Sequence, residues 1–262
     1  MVVVRGKDPA RSTRAAVDRL GGMGAFVKRG EVVVIKPNAA WDRVVAQAAN
    51  TNPAVVSEVV RLCRDAGARE VWVVECSVHD SERSMDRSGI RKAALEAGGQ
   101  VFLPGGAAYV AVHLSDRLGS WDVLEPFVRA DRVINVPIAK HHGLVQVTAG
   151  MKNWIGITTK GRSRWHGTIN RSIVDLAALM RPTLTVVDAT RILLRNGPEG
   201  GNIDDVRQDD MVAASIDPVA VDAWATDLLG IDRDRVKYLA MAQAEGLGQA
   251  DYRALAFEQI TT

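Results

Sequence analysis

The stretch Glu31–Asn38, EVVVIKPN, decides the fold. Four consecutive apolar, mostly β-branched positions between charged ends read as a buried strand. Pro37, which has no N–H, ends it. Asn52-Pro53 then opens a helix running to about Asp65, with Gly67 as its stop. Arg69–Glu75 (REVWVVE) is the next strand. The alternation continues with a helix over Met85–Ala97 and strands at Val101–Leu103 and Asp131–Pro137. A helix over Ile169–Met180 follows, then strands at Leu184–Asp188 and Met211–Ile216 and a helix over Pro218–Leu229. The expected fold is α/β, a mostly parallel sheet with helices on both faces. The expected organisation is a single domain over residues 1–262, the alternative being a second lobe from about residue 182.

Composition narrows the function classes. The 262 residues suffice for a large α/β core. With 33 Lys+Arg against 31 Asp+Glu, the net charge of +2 gives no case for a nucleic-acid partner. Two cysteines, Cys63 and Cys76, without a CxxC argue against an iron–sulfur cluster held within one chain. No apolar run reaches membrane-span length, and no GxGxxG or GxxxxGK[ST] follows a strand, so neither NAD nor a P-loop nucleotide is expected. The chain reads as cytoplasmic; export after removal of a leader is the alternative. Oligomerisation is left open.

Polar residues cluster just after strand ends: Lys36-Pro37-Asn38, Glu75 to Asp80, Lys140-His141-His142 and Asp188 to Arg191. Open α/β sheets bind ligands outside these carboxyl ends. Ala139–Gly167 and Arg191–Asp210 read as two long irregular stretches, and long loops in compact domains are usually functional. His79, His142 and His166 are candidates for proton transfer or metal ligation, whereas His113 reads as a surface residue. His141 and His142 are adjacent and point to opposite sides of an extended segment; His142 is the one expected to face the site. Lys36, Lys140 and Lys152, with Asn38 and Asn153, offer capture of a carboxylate or phosphate. Trp154, Trp165 and Asp188 are expected at the pocket wall, and Asp217, just before Pro218, as a helix N-cap.

The stretches VIKPN (34–38), ANTNP (49–53), PIAKHHG (137–143), GMKNWIG (150–156), RWHG (164–167), RPTLTVVDAT (181–190) and SIDPVAVD (215–222) together resemble the family called domain of unknown function 362. The resemblance covers nearly the whole chain. It implies a fold and a site without a general reaction, and many members of that family carry a twin-arginine export leader.

The spacing also resembles, more remotely, the catalytic domain of nickel-pincer lactate racemases. His79 stands where that family has a catalytic histidine, although Asp80 replaces an arginine. His142 precedes Lys152 by the ten residues that separate its second histidine from the lysine bearing the pincer cofactor. His166 follows where a nickel ligand stands, and Thr51-Asn52-Pro53 lacks an expected arginine.

That resemblance implies His79 and His142 as acid–base residues, Lys152 as cofactor anchor and His166 as metal ligand. Three readings follow. One is an enzyme acting on a small anionic, carboxylate-type substrate, with racemase- or epimerase-like chemistry on a 2-hydroxy acid. Another is a hydrolase or redox enzyme with a divalent metal on His79, His142 and His166. The third is a non-catalytic anion- or cofactor-binding protein.

Overall fold

Val33 and Ile35 pack into one core and Val34 into another, all three fully buried, because successive side chains of a strand point to opposite faces. The computed structural model describes residues 1–105, 108–158, 165 and 167–262. In it these valines lie on β2 (Val32–Pro37). β2 pairs in parallel with β3 (Glu70–Val74) on one side and β7 (Arg132–Val136) on the other. β4 (Gln100–Phe102) extends the parallel sheet beyond β3, and β10 (Leu184–Leu193) extends it beyond β7. Past β10 the sheet turns antiparallel through β11 (Val206–Ser215) and β1 (Val2–Arg5), and β12 (Glu258–Thr261) closes the edge parallel to β1. Residues beyond 182 therefore build strands of the same sheet as the amino-terminal ones.

The two-sided apolar pattern is met by helices on both faces. The Val33–Ile35 face packs against α1 (Pro9–Arg19), α2 (Pro53–Asp65), α3 (Ser81–Arg87) and α4 (Ile90–Glu96). The Val34 face packs against α6 (Ile169–Met180), α7 (Pro218–Leu228) and α8 (Lys237–Ala244). It also carries a hairpin, β5 (Tyr109–Ser115) with β6 (Gly119–Leu124), and the short α5 (Glu125–Arg129). No helix among the described residues is long and apolar enough to cross a membrane.

Three segments depart from expectation. The helix expected over Met85–Ala97 is two helices, because Gly89 takes a left-handed conformation (φ 77°) between α3 and α4. The stretch from Ala139 is not irregular at its start. Immediately after Pro137, β8 (Ile138–His142) pairs in parallel with β10 and antiparallel with β9 (Gln146–Thr148). Lys152–Ile157 then forms a 3-10 turn. The second expected loop shrinks for the same reason: β10 runs on to Leu193, with β8 and β11 as neighbours.

Asp217 accepts hydrogen bonds from the Ala220 N–H (2.8 Å), capping α7, and from the Gln249 N–H (2.9 Å). Asp217→Ala is expected to lower the free energy of urea unfolding by about 1–2 kcal/mol at unchanged slope.

Candidate functional site

The carboxyl ends of β2, β3 and β8 deliver Lys36 to Asn38, Glu75-Cys76 and Lys140 to one edge of the sheet. The turn Lys152–Ile157 folds over them. A pocket of about 60 Å³ results, lined by Asn38, Trp41, Glu75, Cys76, Lys140, Thr148, Lys152, Asn153 and Gly156 among others. Space on that scale holds a few waters, hence a ligand of a few heavy atoms. Two wider grooves, of about 430 and 440 Å³, open around Asp131–Val133 and around Val32 and Glu70, toward the amino ends of the strands. Neither has a comparable convergence of buried polar groups.

The base of the site is a buried ion pair. Lys36 Nζ lies 2.8 Å from Glu75 Oε2, with side chains 0% and 1% exposed. Lys36 also donates to the Pro37 carbonyl (2.8 Å) and to Asn153 Oδ1 (3.4 Å). Glu75 Oε2 accepts a second bond, from the Ala39 N–H (3.0 Å), whereas Oε1 is buried with no hydrogen-bond partner among the described residues. Gly156 lies against that carboxylate: a Cβ there would sit 2.1 Å from Glu75 Oε1 and 2.9 Å from Lys36 Nζ, so only glycine fits.

Lys140 is the second buried cation. Its ammonium donates to Asn38 Oδ1 (3.1 Å) and to the Ala49 carbonyl, and it stands over the Trp41 ring. Neither hydrogen-bond partner is charged. Burial, then the neighbouring Lys152 and Lys36, push its pKa well below the usual lysine range, with Glu75 opposing. Thr148 faces Lys140 across the β8–β9 ladder, and its buried hydroxyl has no partner among the described residues.

The expected site residues divide. Asn38, Lys140, Lys152 and Asn153 line the pocket. Asn153 is also framework: its amide donates to Asn135 Oδ1 (2.8 Å) and to the Lys36 and Pro37 carbonyls. Lys36, expected to hold a ligand, is instead the counter-ion of Glu75. His79 stands beside the mouth, edge-on to Trp41. Its Nδ1 accepts from the Asp42 N–H (3.2 Å), and its Nε2 lies 3.5 Å from Glu199. His142 is buried but does not line the pocket, and its Nδ1 accepts from the Leu144 N–H (3.1 Å). His166 lies outside the described residues. Trp154 and Trp165 are core rather than wall, Trp165 packed against Trp121 at 4.4 Å between centroids. Asp188 also lies off the pocket. It accepts from the Asn52 N–H (2.7 Å) and from the Thr190 N–H and hydroxyl, tying the start of α2 to β10. Among the described residues no three His, Cys, Asp or Glu side chains converge to hold a metal.

Glu75, Thr148 and Asp222 complete the site without a role assigned to them by the sequence. Gly150 and Gly156 were the available signal, since each is glycine because a carboxylate presses on it. Asp222, fully buried on α7, accepts from the Met151 N–H (3.2 Å) and from the Tyr238 hydroxyl (2.9 Å), which anchors the turn carrying Lys152.

Comparison with known proteins places this architecture. The family described as Domain of unknown function (DUF362) matches residues 33–227, and the chain belongs to it. A thylakoid-associated protein of Synechocystis sp. is 29% identical over 244 residues, covering 90% of this chain and 74% of that protein. The lactate racemase apoprotein from Thermoanaerobacterium thermosaccharolyticum shares the fold, with a TM-score of 0.50 at 10% identity. That match covers 82% of this chain, which spans 53% of the racemase chain.

Two outcomes follow from the site's charges. Lys36→Met strands a buried carboxylate and is expected to cost about 3–5 kcal/mol in urea unfolding, while the double variant Lys36→Met/Glu75→Met recovers most of it. Burial holds the Asp222 carboxyl protonated up to about pH 7, above its ordinary 3.8. The folded state thus binds this proton more tightly than the unfolded state, and the stabilisation it gives is full below about pH 4 and lost as pH rises to about 7. Asp222→Asn is expected to remove that component of the pH dependence between pH 4 and 7, read by urea unfolding at each pH.

Proposed function

We propose that this member of the DUF362 family is an enzyme acting on a small carboxylate bound in the pocket between Lys140, Lys152 and Glu75. One observation carries the reading: Lys140 is buried with only neutral oxygens as hydrogen-bond partners. A buried ammonium without a charged hydrogen-bond partner is costly, and a perturbed lysine in a cleft is a candidate functional residue. An anionic ligand supplies a charged partner and opposes that lowering. Lys152 adds a second cation to the pocket wall, and Thr148 a hydroxyl.

Epimerase- or racemase-like chemistry on a 2-hydroxy acid is the reaction class we favour, on the strength of a carboxylate base, Glu75, facing the anion-holding lysines. A covalently anchored nickel cofactor would find a lysine in Lys152. The described residues nonetheless gather amide, ammonium and carboxylate groups around the pocket rather than a set of metal ligands. The proposed chemistry runs through these groups.

Titration calorimetry and thermal unfolding with three-carbon carboxylates test the proposal. Saturation to 100 times Kd is expected to stabilise by about 2.7 kcal/mol, a rise of several degrees in Tm. Lys140→Met is expected to weaken binding at least tenfold while remaining folded. Turnover is read by chiral chromatography of a single 2-hydroxy-acid enantiomer incubated with the protein. Absence of both binding and turnover rejects the reading, and binding without turnover reduces it to a carrier.

A further inference from the structure

We propose that Glu75 is the specificity-determining residue of this pocket, selecting carboxylates that carry a hydrogen-bond donor, hydroxyl or ammonium, on the carbon next to the carboxylate. The inference rests on the pocket being a carboxylate site and adds what that site discriminates.

The argument begins with the two oxygens of Glu75. Oε2 is committed twice, to Lys36 Nζ and to the Ala39 N–H. Those bonds fix the plane of the carboxylate, since Lys36 is itself held by the Pro37 carbonyl and Asn153. Oε1 is left without a donor although it is shielded from solvent. A buried carboxylate oxygen that accepts nothing is expensive, so such an atom in a pocket wall is built for a donor that arrives with a ligand. Gly156 packs directly against it, because any Cβ there would stand 2.1 Å from that oxygen.

The opposite requirement sits elsewhere in the same pocket. Lys140 and Thr148 are directly paired across the antiparallel β8–β9 ladder, an arrangement that puts side chains on one face about 5 Å apart. The Thr148 hydroxyl is the second buried atom of the pocket without a partner. An ammonium and a free hydroxyl together receive an anionic oxygen pair. The pocket is thus sorted by sign, with donors at Lys140 and Thr148 and an acceptor at Glu75 Oε1. A carboxylate flanked by a donor satisfies all three groups at once. A 2-oxo acid would instead bring a carbonyl oxygen against Glu75, acceptor against acceptor, and an unsubstituted acid would leave Oε1 unmet. Sites that hydrogen-bond a substrate group discriminate strongly against analogues lacking it.

Four acids of one size separate the possibilities: lactate, alanine, pyruvate and propionate, each titrated calorimetrically into the wild-type chain. Lactate, alanine or both should bind at least tenfold more tightly than pyruvate and propionate; the better of the two identifies the donor as hydroxyl or ammonium. Glu75→Gln, whose amide oxygen can keep the Lys36 and Ala39 bonds while its NH2 occupies the place of Oε1, should move the lactate-to-pyruvate preference toward pyruvate at least tenfold. Equal binding of all four acids by the wild type, lost in Lys140→Met, would overturn the selectivity and leave the carboxylate site standing. An unchanged lactate-to-pyruvate ratio in folded Glu75→Gln would overturn the role of Glu75. Failure of all four to bind would remove the carboxylate site and this inference with it. The wild-type ranking decides the selectivity even if the glutamine variant does not fold.

Discussion

Two full charges at the ends of adjacent strands, removed from water and 2.8 Å apart, organise this molecule. Burying Lys36 or Glu75 alone would cost several kcal/mol, and the pair offsets that cost only if its remaining polar atoms are also met. The surrounding structure is largely the means of meeting them. Asn153 bonds Lys36 and the β2 carbonyls, and Asn135 of β7 connects Asn153 to the Gly150 carbonyl. Asp222 of α7 grips the next backbone N–H, that of Met151, with Tyr238 of α8 completing it. A continuous polar chain therefore runs from the sheet edge to the helices of one face. The segment bearing Lys152 is positioned by this chain rather than by apolar packing alone.

The strand period explains how cations reach the same place from different parts of the sequence. β8 extends the line of β7 past Pro137, and its alternation sends Lys140 inward beside Asn38 while the backbone pairs with β10. Lys36 ends β2 and Glu75 follows β3, and these strands are parallel neighbours in register. Parallel strands end on the same edge, so residues distant in the chain meet there without a long loop to bring them together. The glycines of GMKNWIG then let a backbone turn close over charged groups at distances no side chain would allow.

Much of the fold was legible because apolar runs and caps are strong signals. EVVVIK, REVWVVE, the Asn52-Pro53 helix start and the Asp217-Pro218 cap each matched an element of the structure. The stretch expected to be irregular from Ala139 opens as β8 because its pairing with β10 is long-range information. The β5–β6 hairpin and the four-residue β1 were missed as too short or too polar to carry a period. The site was legible as a location, the carboxyl edge, more than as a set of roles. Histidine is conspicuous in a sequence, yet His79 and His142 each spend Nδ1 on a backbone N–H. Glu75 was inconspicuous among 31 acidic residues, because its buried pairing with Lys36 is long-range information.

The sign of Glu75 is what separates a recognising site from a simple anion clamp. A pocket meant only to hold an anion gains nothing from a carboxylate in its wall, since the negative charge subtracts from the potential of Lys140 and Lys152. Lys36 bonds Oε2, and among the described residues Oε1 accepts no hydrogen bond. The chain thus bears the cost of a second buried ion pair member in order to present one acceptor atom at a fixed position. Donors and an acceptor in the wall of one pocket suit a ligand with both an anionic and a donating end.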